Sequence, residues 1–297
     1  MKIKHPGVCA LCNRYFEDLT FEHIPPRAAF NQRPVKLYSG EKFIGSSNDP
    51  WDMKNIRYQN AQFGSGKYTL CKDCNNLTGA WYGKSYQEVS YQFAQALLCY
   101  KANPSITEIE FEVYPLRFIK QIISIICSLN SPDPSIQYPE TFPFTTLHQA
   151  AKELQALKHF VLTKDEKGLN SKKVRIFLYA TDSDLGRFDG LSAIWNVNSF
   201  EFSPLCEMAC YPLGIIAFFF PPDNFTFDGA DITYFSDFNY DDKKSIRLPF
   251  VVKEINSWIP NDYRTKDEIK DIINENNEFM DGRKALDKLE YEMERNS

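Results

Sequence analysis

Two pairs of cysteines constrain this chain more than any other feature of its sequence. Cys9 and Cys12 lie in "CALC", and Cys71 and Cys74 lie in "CKDC". A two-residue spacer lets both thiolates of a pair turn toward one ion, and two such pairs complete the tetrahedral four-sulfur shell that zinc prefers. The N-terminal "MKIKHPG" lacks the apolar stretch of a secretory signal, so we expect reduced thiols and a structural zinc rather than disulfides.

The composition indicates a globular protein that does not enter a membrane. The chain has 297 residues, of which 43% are hydrophobic and 15% aromatic, enough for a sizeable core and for about two domains. The longest apolar run, Leu213 to Phe220, is bounded by prolines and is far shorter than the roughly 20 residues of a membrane span. We therefore expect a cytoplasmic protein.

The hydrophobic pattern predicts an α+β fold. Apolar residues recur every three or four positions from Tyr82 to Tyr100, and isoleucines are dense from Phe118 to Leu129; both patterns are typical of buried helices. The segment "ITEIEFEVY" alternates with the period of a strand, and several strand-like runs follow between Lys173 and Val252. We predict a small zinc-bound module in residues 1–84 and a larger mixed α+β domain in residues 85–297.

Basic residues are concentrated in the first of these segments. Residues 1–84 contain 12 Lys or Arg and 7 Asp or Glu, a net charge of +5. Because the net charge of the whole chain is −5, the remaining residues have a net charge of −10. Such an imbalance is a hint of a polyanionic partner. A charge of +5 over this length is mild, and a solvated surface explains it equally well.

The cysteine pairs also predict which other side chains meet. Glu22 and His23 end the short apolar stretch "DLTFEH" after the first pair, and Asn75 follows the second pair directly. Coordination of one ion by both pairs would therefore bring a carboxylate, an imidazole and a carboxamide together. Pro25 and Pro26 cannot continue a strand ladder, so we expect them to direct the preceding histidine out of the sheet.

These segments resemble the HNH nucleases of the ββα-metal type that carry a four-cysteine zinc. The resemblance depends on "CALC", "LTFEHIPP" and "LCKDCNN" in that order, and it covers Cys9 to Tyr86. It implies that His23 is the general base and that Glu22 and Asn75 bind the catalytic metal. Gly66 lies where the family has its middle asparagine, the family's acidic ligand is more often Asp than Glu, and 48 residues separate His23 from Cys71.

The resemblance implies a metal-dependent nuclease that cleaves phosphodiester bonds in DNA or RNA, with DNA as the first expectation. Hydrated Mg²⁺ or Mn²⁺ would neutralise charge on the phosphate and the leaving oxygen, and a four-thiolate zinc would do no chemistry. Position alone makes Arg27, Lys67 and Lys72 candidate phosphate contacts. By analogy with standalone nucleases of this type, we expect a role in bacterial antiphage defence.

Two other interpretations remain open at this point. The same zinc-bound fold could be a catalytically silent module that binds nucleic acid or protein, which the glycine at position 66 favours. Alternatively, the first segment could be a zinc ribbon attached to a domain with an unrelated activity. For residues 85–297 we expect a sensor, a target-recognition unit, or a platform for a homodimer or a partner protein.

Overall fold

The computed structural model of the protein describes residues 3–40, 53, 56–130, 145–196, 201–275, 278 and 283. The N-terminal part contains β1 (Gly7–Val8), β2 (Tyr15–Phe16), β3 (Thr20–His23), β4 (Val35–Tyr38), β5 (Tyr58–Ala61), β6 (Gly66–Leu70) and α1 (Lys72–Thr78). A π-helical turn, Gly79–Gly83, connects α1 to the next helix. Then come α2 (Lys84–Ala102), β7 (Glu108–Val113), α3 (Pro115–Leu129), α4 (Thr145–Leu162), β8 (Val174–Ala180) and β9 (Arg187–Asn196). The chain continues through β10 (Glu201–Cys210), β11 (Leu213–Phe219), β12 (Ala230–Asp231), a 3₁₀ turn (Thr233–Asp237), β13 (Lys244–Pro249) and a helix α5 over residues 266–275.

Helix α3 lies at the centre of the molecule, as its composition predicts. Of its residues only Arg117 is not buried, because a helix that is apolar on nearly all sides must be surrounded by other elements. It packs against α2, α4, the 3₁₀ turn and the edge of the main sheet. The buried Lys120 ammonium donates to the carbonyl groups of Phe160, Thr163 and Lys164, so it satisfies the C-terminal end of α4.

The main sheet has five antiparallel strands in the order β12-β8-β11-β10-β9. Alternate residues of β8 face opposite sides: Ile176 and Leu178 join the main core, whereas Phe177 and Tyr179 join a second, smaller cluster. Phe225 and Phe227 pack against that second cluster. Both faces of the sheet are therefore covered, which explains why β11 is buried along its whole length.

The N-terminal part supplies a strand–strand–helix unit. Strand β3 pairs with β6 in antiparallel register, with His23 opposite Gly66, and α1 begins two residues after β6 ends. Strands β1 and β2 form a separate short ladder that carries the first cysteine pair between them. The predicted strand at "DLTFEH" is confirmed as β3, and the α+β fold class with a four-cysteine cluster is confirmed.

Several contacts join this unit to the helices that follow. The main core cluster contains buried residues from Cys9 through to Phe250. Tyr82 donates to the Val161 carbonyl at 2.7 Å, and Lys158 donates to the Asn13 side chain at 2.8 Å. The division at residue 84 stays a prediction, and one continuous core spans it. No helix in the described part of the chain is long and apolar enough to cross a membrane.

Candidate functional site

The four cysteines of the two pairs meet in space. The sulfur atoms of Cys9, Cys12, Cys71 and Cys74 all lie within 4.8 Å of one another. Tetrahedral zinc with Zn–S bonds of about 2.3 Å separates its sulfurs by about 3.8 Å, so small side-chain adjustments would close this cluster on one ion. Within the described ranges it is the one group of three or more His, Cys, Asp or Glu side chains that could hold a metal ion.

Local backbone structure brings each pair into position. In the first pair, the Cys9 amide donates to the Arg14 carbonyl at 2.9 Å, and Asn13 closes the turn in the left-handed conformation, with φ of 56°. In the second pair, Cys71 precedes α1 in an extended conformation. The Cys71 amide donates to the Cys9 sulfur at 3.3 Å, so the two pairs contact each other directly.

The cluster favours thiolate at one of its sulfurs. Hydrogen bonding from Cys74 lowers the pKa of the Cys9 thiol to about 4, and the same contact raises the pKa of Cys74. Thiolates are the form that binds metals. The arrangement could therefore hold a metal ion such as zinc, and the sequence prediction of a metal site is confirmed at that level.

Asn75 connects α1 to β3. It lies one residue after the second cysteine pair, and its Nδ2 atom donates to Thr20 Oγ1 at 3.0 Å and to the Phe21 carbonyl at 3.3 Å. Because Nδ2 is directed at β3, Oδ1 is the amide atom that could bind a cation. The cysteine cluster thus fixes the helix that carries Asn75 beside the strand that carries His23.

His23 ends β3 on the partly exposed face of the strand. Its Nε2 atom lies 3.2 Å from the Phe63 carbonyl, which can only accept, so Nε2 carries the proton and Nδ1 is free to accept one. Partial burial lowers the pKa of His23 and the charge of Arg27 lowers it further, against the opposing effect of the Phe63 carbonyl. The imidazole is therefore neutral at pH 7.

Glu22 departs from the predicted arrangement. As the neighbour of His23 in a strand, it faces the opposite side, where its Oε2 atom accepts from Thr69 Oγ1 at 3.2 Å and from Ser128 of α3. The residue is 6% exposed, and burial raises its pKa to about 7 while the two hydroxyl groups oppose that rise. The structure thus brings Asn75 to the strand that ends at His23, but it directs the Glu22 carboxylate into the interior.

Gly66 lies at a close approach of β3 to β6 that leaves no room for a side chain. A Cβ at Gly66 would lie 2.2 Å from the Glu22 carbonyl oxygen. Next to it, buried Asn31 accepts from the Ser65 amide at 2.7 Å and donates to the carbonyls of Pro25 and Ser65 at 2.6 and 2.8 Å. Asn31 thereby joins the segment after His23 to the start of β6, and no motif in the sequence indicates this role.

The three basic residues predicted to contact phosphate have different surroundings. Arg27 is exposed and close enough to His23 to lower its pKa. Lys67 is opposite Glu22 in the ladder and interacts electrostatically with Asp189 of β9. Lys72 is exposed at the first position of α1. Of these three residues, Arg27 is therefore the one whose charge lowers the pKa of His23.

Comparisons with known proteins give this site no independent support. None of the protein-family models, curated proteins or solved structures compared with the chain matches it.

Proposed function

We propose that this protein is a metal-dependent nuclease that hydrolyses phosphodiester bonds, with His23 as the general base. One observation carries the proposal: a neutral, partly exposed histidine ends the strand to which Asn75 is hydrogen-bonded. Both residues belong to a strand–strand–helix unit that the four-cysteine cluster joins. DNA is the first substrate to test, and RNA is the second.

His23 has the properties that a general base needs. Its Nδ1 atom can accept a proton from a water molecule, while the Phe63 carbonyl fixes the ring through Nε2. A positioned base of this kind contributes about 10²–10⁴-fold to a hydrolysis rate. The nearby positive charge of Arg27 suits a phosphate group bound beside the imidazole.

We assign the catalytic cation, Mg²⁺ or Mn²⁺, to Asn75. Such hard ions accept an amide oxygen as one ligand and fill their shells with water and substrate phosphate, and they supply Lewis-acid stabilisation of the developing charge. The Oε2 atom of Glu22 accepts from Thr69 and Ser128, so the carboxylate would join as the second ligand through Oε1 or by leaving these partners. In the arrangement described here the Glu22 side chain is buried beneath β3.

We assign structural zinc to the four cysteines. Four thiolates leave zinc without an open position, so its role is to hold β1, β2 and α1 together. By analogy alone we propose action in the cytoplasm in antiphage defence, with residues 85–297 as the unit that senses a signal, recognises a target, or binds a second copy or a partner protein.

A second candidate function is a silent binding module. The burial and hydrogen bonding of Glu22 favour it, because the acidic ligand of the family pattern is not offered to the surface that contains His23. Such a module would keep the zinc and the nucleic-acid surface but would not cleave.

A cleavage assay separates the two functions. Purified protein is incubated with plasmid and single-stranded substrates in Mg²⁺ or Mn²⁺, together with His23→Ala, Asn75→Ala and, as a matched control, His159→Ala on the exposed side of α4. The proposal expects cleavage by the wild type and the control, and a loss of about 100-fold or more for His23→Ala. Equal cleavage by His23→Ala would exclude the assigned base, and binding without cleavage would support the silent module.

A further inference from the structure

A row of aromatic rings covers the exposed face of the β3–β6 pair. The His5 ring stacks on Tyr68 with centroids 3.4 Å apart and planes inclined by 10°. Tyr68 lies 5.2 Å from Phe21, and Phe21 lies 5.0 Å from His23. The row therefore ends on the proposed general base.

These rings are displayed to solvent by the strand register. Phe21 and Tyr68 are directly opposite each other in the ladder, and they remain 36% and 43% exposed. The alternate residues Glu22 and Thr69 face the interior. A contiguous cluster of exposed aromatic side chains is unusual for a solvated surface and is typical of a binding site.

The surroundings of the row favour one kind of ligand. Asp18, Leu19 and Thr20 line the recess beside His5, Phe21 and Tyr68, whereas Arg27 affects the His23 end. A ligand with a flat apolar part and an anionic part would place the flat part on the rings and the anion near Arg27. Residues 1–84 carry a net charge of +5, which suits a polyanion.

We propose that this row binds unpaired nucleotides, so that the substrate of the proposed nuclease is single-stranded nucleic acid or a single-stranded part of it. Bases in a duplex are already stacked on each other, whereas unpaired bases can stack on aromatic side chains. Stacking on Tyr68 and Phe21 would lay the backbone along β3 and bring a phosphate to His23. This inference deepens the proposed function and relies on it for the role of His23.

The test is a binding measurement that does not require cleavage. Fluorescence anisotropy is recorded with labelled 12-nucleotide dT and rU strands and with a 12-base-pair duplex, in Ca²⁺ instead of Mg²⁺. We expect the wild type to prefer the single strands. We expect Phe21→Ala and Tyr68→Ala each to weaken single-strand binding by roughly 5- to 150-fold, the value of one lost stacking contact.

Control variants keep the result interpretable. Tyr68→Phe retains the ring and should bind like the wild type, and Tyr234→Ala removes an equally exposed tyrosine (42%) from the 3₁₀ turn and should have no effect. If Phe21→Ala does not fold, Phe21→Leu keeps apolar bulk without an aromatic face and should still lose affinity. The dT and rU strands then show whether the DNA strand or the RNA strand is bound more tightly.

The outcomes separate this inference from the nuclease proposal. Ring-dependent binding of single strands without cleavage would support the inference and contradict the nuclease. Cleavage with unchanged binding by Phe21→Ala and Tyr68→Ala would overturn the inference alone, and so would equal affinity for the duplex. Concentration-dependent dimerisation that Tyr68→Ala abolishes, with no binding of either strand, would overturn it by showing that the rings contact a second copy.

Discussion

Replacing Glu22 by glutamine should stabilise the protein at about pH 8 and change its stability little at about pH 5. The carboxyl group is buried, and burial raises its pKa from 4.5 to about 7. Between these values the folded protein keeps a proton that the unfolded chain releases. The stabilisation from this group is therefore complete below about pH 4.5 and is lost as the pH rises through about 7.

The magnitude follows from the size of the shift. Each pKa unit corresponds to about 1.4 kcal/mol, so the difference between 4.5 and about 7 amounts to about 3 kcal/mol. Most of this is lost between about pH 5 and pH 8. Glutamine stays neutral across that range, and its Oε1 atom can still accept from Ser128 and Thr69, which donate to Glu22.

The assay is urea unfolding of zinc-loaded wild type and Glu22→Gln at a series of pH values, with exposed Glu108→Gln as the matched control. The free energy of unfolding of Glu22→Gln should exceed that of the wild type by up to about 3 kcal/mol at pH 8. The control should follow the wild type. A constant difference between Glu22→Gln and wild type at every pH would show that burial does not raise the pKa of Glu22 and that the carboxylate is already ionised, as expected of a metal ligand.

Three further substitutions test other parts of the structure. Cys71→Ser should lower the zinc content measured by elemental analysis to well below one per chain. Cys99→Ser changes an exposed cysteine outside the cluster and should keep the zinc content of the wild type. Equal zinc in both variants would contradict the four-thiol site. Asn31→Ala removes three hydrogen bonds to buried backbone groups and should lower the free energy of unfolding by about 2–3 kcal/mol in urea titrations. Glu207→Gln removes the closer of two carboxylates that pair with the buried guanidinium of Arg187, at 2.7 Å, and leaves Asp189 at 3.8 Å. It should cost about 3–5 kcal/mol at neutral pH by the same assay; an unchanged midpoint would show that the pair with Glu207 contributes nothing.

Local sequence patterns predicted most of the secondary structure near the site. The cysteine spacing predicted the metal cluster because a two-residue spacer has few geometries, and the four sulfurs do meet. The strand ending at His23 is present as β3. The predicted helix from Phe118 to Leu129 falls within α3, because dense isoleucine on all sides is typical of a buried helix.

The orientation of single side chains could not be predicted in the same way. Glu22 follows Phe21 in a strand, so one of them must face inward, and the sequence alone does not say which. The hydroxyl group of Ser128, 106 positions further along the chain, determines the partner of Glu22. The short motif in which Glu22 precedes His23 contains nothing that predicts the contact with Ser128.

Asn31 was missed for a related reason. Three of its four hydrogen bonds are to backbone atoms of Pro25 and Ser65, and backbone partners have no sequence signature. The exclusion of a side chain at Gly66 likewise comes from the close approach of the Glu22 carbonyl. Neither the close approach at Gly66 nor the bonds of Asn31 follow from a motif, because both depend on how distant backbone segments pack.

X-ray absorption at the zinc edge determines whether one ion is bound by four thiolates, the arrangement that would hold Asn75 beside the strand that ends at His23. Freshly purified protein should show four sulfur scatterers at about 2.3 Å and no nitrogen or oxygen in the first shell. A shell containing nitrogen or oxygen, or protein without zinc whose four cysteines are fully reactive toward thiol reagents, would show that the four cysteines do not hold a zinc ion.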